Sequence, residues 1–276
     1  MPFYLMWSRV ALVCYFVALI VLIAYQRRGA SGLIRAAVAT GFLFQFVSLV
    51  EALAAFPSQP LDLYHVITSL LAFVVAAFFL MVYRAHSPRA LSLLVLPLVV
   101  ILAAVAVLAP LGARSGPSPL ARSLLHNGWI YVHILLIIVG YAGLVVAMAA
   151  GVLYLAAERS LKAKAAPLAG QAWLPPLEKL DLLAYRALLV GFPLLTAGLV
   201  IGAYWADALF GHVSLGDPTV LLALLAWAIY LVLLFARWSS GWRGRRSAYL
   251  TLICFAVALA GWLVNGLSRV HSIFLQ

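Results

Sequence analysis

Eight long apolar stretches divide this chain, and nothing else in it constrains the fold as strongly. They run roughly over Val10–Tyr25, Leu33–Phe56, Leu61–Tyr83, Ala90–Ala109, Trp129–Ala157, Leu183–Ala208, Val220–Ala236 and Ala248–Ser268. A helix rising 1.5 Å per residue needs about 20 apolar residues to cross the hydrocarbon of a bilayer. The runs are continuous and show no alternation of lumen-facing and lipid-facing residues, which selects helices over barrel strands. With 67% of 276 residues hydrophobic and 9% charged, a water-soluble core could not hide this surface, so lipid is the expected partner. The expected fold is all-α: a polytopic bundle of eight transmembrane helices forming a single membrane domain over residues 1–276, with no soluble domain appended. The first stretch ends in Gln26-Arg27-Arg28, a pattern expected of an uncleaved helix with its N-terminus outside.

The polar segments between the stretches differ in charge. If the first, third, fifth and seventh connections lie inside, they hold 14 of the 18 Lys and Arg residues. Only Arg9, Arg114, Arg122 and Arg269 then lie outside. This sidedness is the positive-inside pattern and predicts both termini on the outer side. It also accounts for the formal net charge of +11 without nucleic acid, which is excluded as a partner. The longest inner connection, Glu158–Asp181, contains Pro175-Pro176, which predicts a turn or an interfacial re-entry.

Within the spans, Gly143, Ala147 and Gly151 recur at helical spacing and predict close helix packing. Pro193 predicts a kink or a locally opened turn. Cys14 and Cys254 sit in apolar stretches with no CxxC or CxxCH and read as small core residues. Glu51 stands in the outer part of the second span. An intramembrane carboxyl is either a functional group or a residue near enough to the interface to meet water or a Tyr hydroxyl. Five of the six histidines, His65, His126, His133, His212 and His271, fall on or near the outer side, and only His86 inside. A lone interfacial histidine is ordinarily a wetted polar anchor, although imidazole also binds metals and haem iron. No Walker A, HExxH or GxSxG motif occurs, and no enzymatic activity is expected.

The string Gly191–Ala206, GFPLLTAGLVIGAYWA, is joined by Gly140-Tyr141 following His133, by Trp227-Ala-Ile-Tyr230 and by Gly241-Trp-Arg-Gly-Arg-Arg246. Together these resemble the integral membrane cytochrome c assembly family of CcsA-like, HemX-like and YpjD-like haem-handling proteins. The resemblance is strongest over residues 129–276; the N-terminal half resembles the family in hydropathy. Synthases of this family carry an outer haem-binding pattern, W-G-x-x-W-x-W-D-P. Here its first Trp falls on Phe210 and its Gly on Gly211, the next two Trp on Ser214 and Gly216, and its Asp-Pro on Asp217-Pro218. The frame is kept and three tryptophans are lost, which removes aromatic area that a planar macrocycle uses. The family's two outer axial histidines fall on His133 and on His271, in Arg269-Val-His-Ser. A family histidine near the inner end of the seventh span falls on Phe235, while His65 lies near the position of its partner on the third span.

The resemblance implies a non-enzymatic haem-handling or cytochrome c assembly protein of a bacterial inner membrane, with both termini periplasmic. Haem would be bound through His133 and His271 (as ligands to its iron) under Trp205, Phe210, Gly211, Asp217 and Pro218. Its partners would be the lipid bilayer, haem and other proteins of cytochrome c or haem biosynthesis. Two alternatives stay open at this point. One is a haem-free, HemX-like scaffold or regulator whose basic inner segment Arg159–Arg186 docks a partner. The other is a transporter using Glu51.

Overall fold

A computed structural model describes residues 3–24, 31–54, 63–85, 89–108, 128–162, 176–211 and 215–264. They form eight helices: α1 Phe3–Ala24, α2 Ser31–Ala54, α3 Leu63–Ala85, α4 Arg89–Leu108, α5 Gly128–Lys162, α6 Leu177–Phe210, α7 Pro218–Ser239 and α8 Arg245–Val264. Each of the eight apolar stretches is therefore helical over its described residues, and the described residues contain no strand. By length and composition, α1, α2 and α5–α8 can each cross a membrane; the apolar helical cores Val66–Met81 and Ser92–Leu108 of α3 and α4 are shorter. The protein is thus a polytopic helical membrane protein. Large side chains such as Val13, Phe16, Leu43, Val200, Val232 and Ile253 point outward, as surfaces against lipid require.

The helices fall into two compact units, α1–α4 and α5–α8. In the first, α1 packs on α2 and α4, and α3 on α2 and α4. Polar side chains join its helices. Tyr15 donates to Gln45 Oε1 at 2.6 Å, and Gln45 Nε2 donates to the Ser69 carbonyl at 2.9 Å. The Ser8 and Ser48 hydroxyls lie 2.6 Å apart, and Ser48 donates to the Tyr4 carbonyl at 2.8 Å. Lipid tails are as apolar as leucine, so such bonds and close packing hold the helices together, at about 0.6 kcal/mol per bond on average.

The second unit is built on the α5–α6 pair, with α8 also against α5 and α7 between α6 and α8. Glycine sets the distance between α5 and α6. A Cβ on Gly140 would stand 2.7 Å from Leu195 Cβ, and one on Gly143 2.8 Å from the Ala187 carbonyl. The small residues of the fifth span are packing residues, as expected: Ala147 is buried, and Gly151 faces Ala248 across to α8. Cys254 is buried and donates to the Ala226 carbonyl at 3.3 Å, and both cysteines are free thiols. Pro193 lies inside α6, which continues on both sides of it, and Pro97 lies likewise inside α4.

The connection between the fifth and sixth spans is shorter than the sequence suggested. α5 runs on to Lys162, where Lys162 and Glu158 form an i,i+4 ion pair, and α6 begins at Leu177 just after Pro176. Charged residues extend a helix past the membrane as readily as apolar ones within it.

Candidate functional site

His133 stands in the second turn of α5 and is the one expected ligand whose surroundings are described. Its ring crosses to α6, where Nδ1 lies 2.7 Å from the Gly198 carbonyl oxygen. A carbonyl only accepts, so Nδ1 carries the proton and donates it. In the neutral ring so oriented, Nε2 carries the lone pair, which is the metal-binding arrangement. Gly202, one turn further along α6, makes this possible. A Cβ there would stand 2.6 Å from His133 Cε1 and 2.9 Å from Nδ1.

The register of the two antiparallel helices places the residues around this histidine. Gly140 meets Leu195, Ile137 meets Gly198, and His133 meets Gly202. One further turn in the same direction are Trp129, four residues before His133, and Trp205, three residues after Gly202. Tyr204 packs edge-on to Trp205 with ring centroids 6.0 Å apart, and both Trp129 and Tyr204 present most of their surface outward. Trp129 and Trp205 thus lie one turn beyond the His133–Gly202 contact on their helices, while Tyr204, two residues after Gly202, faces away from it. Sequence reasoning selected His133 and Trp205 but not Trp129, Gly198 or Gly202. The i−4 spacing of Trp129 from His133 and the Gly198-x-x-x-Gly202 spacing were the available signals.

The other expected site residues divide. Gly211 adopts φ 71°, the left-handed conformation that favours glycine, and its N–H closes α6 onto the Asp207 carbonyl at 2.8 Å. Asp217 is buried and caps α7: Oδ1 accepts from the Thr219 N–H at 2.9 Å and from the Val220 N–H at 3.4 Å, with Pro218 in the first turn. The Gly and Asp-Pro of the loop frame therefore shape the end of one helix and the start of the next. Phe210 is the last residue of α6. His271, Ser214, His212, His126 and His86 lie outside the described residues, and of His65 only its place in the first turn of α3 is described. Phe235 is largely exposed on α7.

The remaining strings join α6, α7 and α8. Trp227 donates to Thr196 Oγ1 at 2.9 Å, and Tyr230 to the Leu188 carbonyl at 3.2 Å. Phe192 stacks on Trp227 and tilts against Tyr230. Farther along, Arg237 grips the Asp181 carboxylate, and the Gly244 N–H donates to Asp181 Oδ1 at 3.0 Å. This cluster was not foreseen, because the count of inner-side charge took in Lys and Arg, Arg237 among them, and left Asp181 out.

In the first unit, Glu51 Oε1 accepts from Trp7 Nε1 at 3.0 Å, so its partner is an indole rather than a tyrosine. Its other oxygen is buried without a hydrogen-bond partner. Among the described residues no three His, Cys, Asp or Glu side chains gather as a cage for a bare ion. The chemistry His133 offers is one nitrogen donor beside flat apolar faces.

Comparison with known proteins gives this arrangement a context. A family model described as cytochrome C assembly protein matches residues 60–271. Among similar proteins are three named cytochrome c biogenesis protein CcsA. That of Prochlorococcus marinus (strain MIT 9312) is 31% identical over 157 residues, covering 50% of this chain and 51% of the relative. That of Guillardia theta is 33% identical over 171 residues, 56% of each chain. That of Chlamydomonas reinhardtii is 31% identical over 140 residues, 51% of this chain and 38% of the relative. The chain spans about half the length of the first two relatives and less of the third.

Proposed function

Because the chain belongs to the cytochrome c assembly protein family, we propose that it is a non-enzymatic haem-handling protein of cytochrome c biogenesis. In this reading it lies in a bacterial inner membrane with both termini periplasmic, as the distribution of its Lys and Arg favours. Haem binds at the outer face through His133 and His271. The observation that carries the reading is the His133 ring itself, whose Nδ1 is committed to the Gly198 carbonyl, so that in the neutral ring Nε2 holds the lone pair.

The residues near His133 fit such a group. A single imidazole cannot cage a free ion but serves as an axial ligand to iron already held in a macrocycle. Haem when bound supplies that iron and a broad apolar face. The chain's own part is to hold the imidazole, to offer Trp129 and Trp205 as apolar surface, and to fix the ends of the Trp205–Pro218 segment through Gly211 and Asp217. Handing haem on within cytochrome c assembly would involve protein partners and the bilayer.

The test is the absorbance spectrum of the purified protein with and without added haem. A Soret band is expected in wild type, weakened in His133→Ala and in His271→Ala. A wild-type protein with no band, or a band indifferent to both substitutions, would overturn the reading.

A specific observation supports a second reading, a haem-free scaffold or regulator. Phe210, Ser214 and Gly216 stand where the haem-binding pattern has tryptophan, and Asp217 is occupied as a helix cap. In that case the basic segment Arg159–Arg186 docks a partner. Crosslinking in cells that recovers a stable partner from protein lacking haem favours it; stoichiometric haem without such a partner counts against it.

A further inference from the structure

The α5–α6 contact at His133 is built differently from the rest of that helix pair. At Gly140 and Gly143 the absent Cβ lets backbone approach backbone or a packed aliphatic side chain. At Gly202 it makes room for an imidazole, whose Cε1 and Nδ1 occupy the space of the missing side chain. The ring is thus wedged between α5 and a patch of bare α6 backbone. On that patch, Gly198 is buried and its carbonyl accepts the hydrogen bond from Nδ1–H. Sliding the ring away from Gly198 would break the bond; turning it over would set Cδ2 against the carbonyl.

From this geometry we infer that Gly198 and Gly202 are positioning residues: together they form a backbone seat that fixes His133 as its Nδ1–H tautomer and presents Nε2 as the iron-binding nitrogen. The inference rests on the reading of His133 as a haem ligand, but it makes a claim about the ring that holds before haem arrives. A metal-bound histidine ordinarily donates its second N–H to an oxygen that fixes tautomer and orientation, and loss of that partner weakens binding by about 10–100-fold. Here the oxygen belongs to the backbone of a glycine. No substitution of a side chain at residue 198 can remove the acceptor, whereas a Cβ at 202 can displace the ring from it.

The experiment uses the full chain in detergent or nanodiscs without haem, with ¹⁵N-labelled histidine. The His133 signals are identified by their absence in His133→Asn. Wild type is expected to show the Nδ1–H tautomer, with Nε2 unprotonated. Gly202→Ala is expected to shift the ring to a mixture of tautomers, and to weaken haem uptake by about tenfold or more. Gly140→Ala is the control, since it introduces an overlap of similar size seven residues from His133 on the same helix pair. It is expected to leave the tautomer unchanged. An Nε2–H tautomer in wild type overturns the seat without any variant having to fold. Equal changes in Gly202→Ala and Gly140→Ala overturn it too, because loosened packing would then suffice. The seat and the haem reading fail separately. The expected tautomer behaviour with no His133-dependent Soret band keeps the seat and removes haem; such a band with the other tautomer does the reverse.

Discussion

Arg237, in the last turn of α7, holds Asp181, in the first turns of α6, by both terminal nitrogens of its guanidinium. Nη1 donates to Oδ1 at 2.9 Å and Nη2 to Oδ2, while Nη2 also reaches the Asp181 backbone carbonyl at 3.2 Å. The pair is largely buried, with 6% and 16% of the two side chains exposed, and the Arg237 guanidinium lies 4.4 Å above the centre of the Tyr185 ring. Asp181 also accepts from Gly244, whose φ of 68° shapes the turn between α7 and α8. One carboxylate thus joins three helices of the second unit.

Removing one member of this pair leaves a buried charge without its partner. Arg237→Met is expected to cost about 3–5 kcal/mol, read as loss of unfolding stability in detergent. Arg237→Lys keeps the charge but not the two-pronged geometry, and should fall between wild type and Met. The double variant Arg237→Met/Asp181→Leu should recover part of the loss, the Gly244 N–H remaining unpaired. A cost below about 1 kcal/mol for Arg237→Met would place the pair with exposed ion pairs of little weight.

Gly191 and Tyr230 are coupled by space. A Cβ on Gly191 would lie 2.5 Å from the Tyr230 hydroxyl and 3.0 Å from the Gly140 carbonyl. Gly191→Ala should destabilise the second unit by about 1–3 kcal/mol through overpacking. Tyr230→Phe removes the closest obstructing atom along with one hydrogen bond to Leu188. The double variant should therefore be more stable than the sum of the two single losses predicts. Strict additivity in a double-mutant cycle would contradict the overlap.

Trp7 gives Glu51 the hydrogen bond it has, and Oε2 lies buried beside it. Trp7→Phe preserves a ring to stack on Phe44 but leaves both carboxyl oxygens without a protein donor. It should cost about 1–3 kcal/mol. Glu51→Gln retains an acceptor for the indole and is expected to cost less, under about 1 kcal/mol. If thermal denaturation ranks the two variants the other way, the indole bond is not what holds Glu51 in place.

The eight helices were legible because lipid imposes a minimum length of apolar chain, and that length is visible in sequence. Their ends were less so. α5 continues five residues past Ala157 through the Glu158–Lys162 pair, and α7 starts at Pro218 because Asp217 caps it. His133 could be selected by resemblance, but not its seat, since which turn of α6 meets it depends on the register of residues 65 apart in the chain. The Asp181–Arg237 pair spans 56 residues for the same reason. The inner-side count covered Lys and Arg alone, so Arg237 entered it without the carboxylate that neutralises it. Glu51 was recognised as out of place, yet its indole partner lies 44 residues away on α1.

Trp129 links this register to the proposed haem site. It lies four residues before His133, on the same face of α5, and 59% of its surface is exposed. Trp205 is at the same level on α6, with Tyr204 against it. The loop pattern has lost the three tryptophans expected at Phe210, Ser214 and Gly216, so aromatic area for a macrocycle must come from the helices if haem binds beside His133. Covering a large aromatic side chain contributes about 1.5–3 kcal/mol, or roughly ten- to hundredfold in affinity. Trp129→Ala should therefore raise the Kd for haem by about tenfold in a Soret titration, and Trp129→Phe by less. Both variants leave the proposed ligand His133 in place, so the position of the Soret maximum should stay near that of wild type. An unchanged Kd in Trp129→Ala would show that the macrocycle does not cover Trp129.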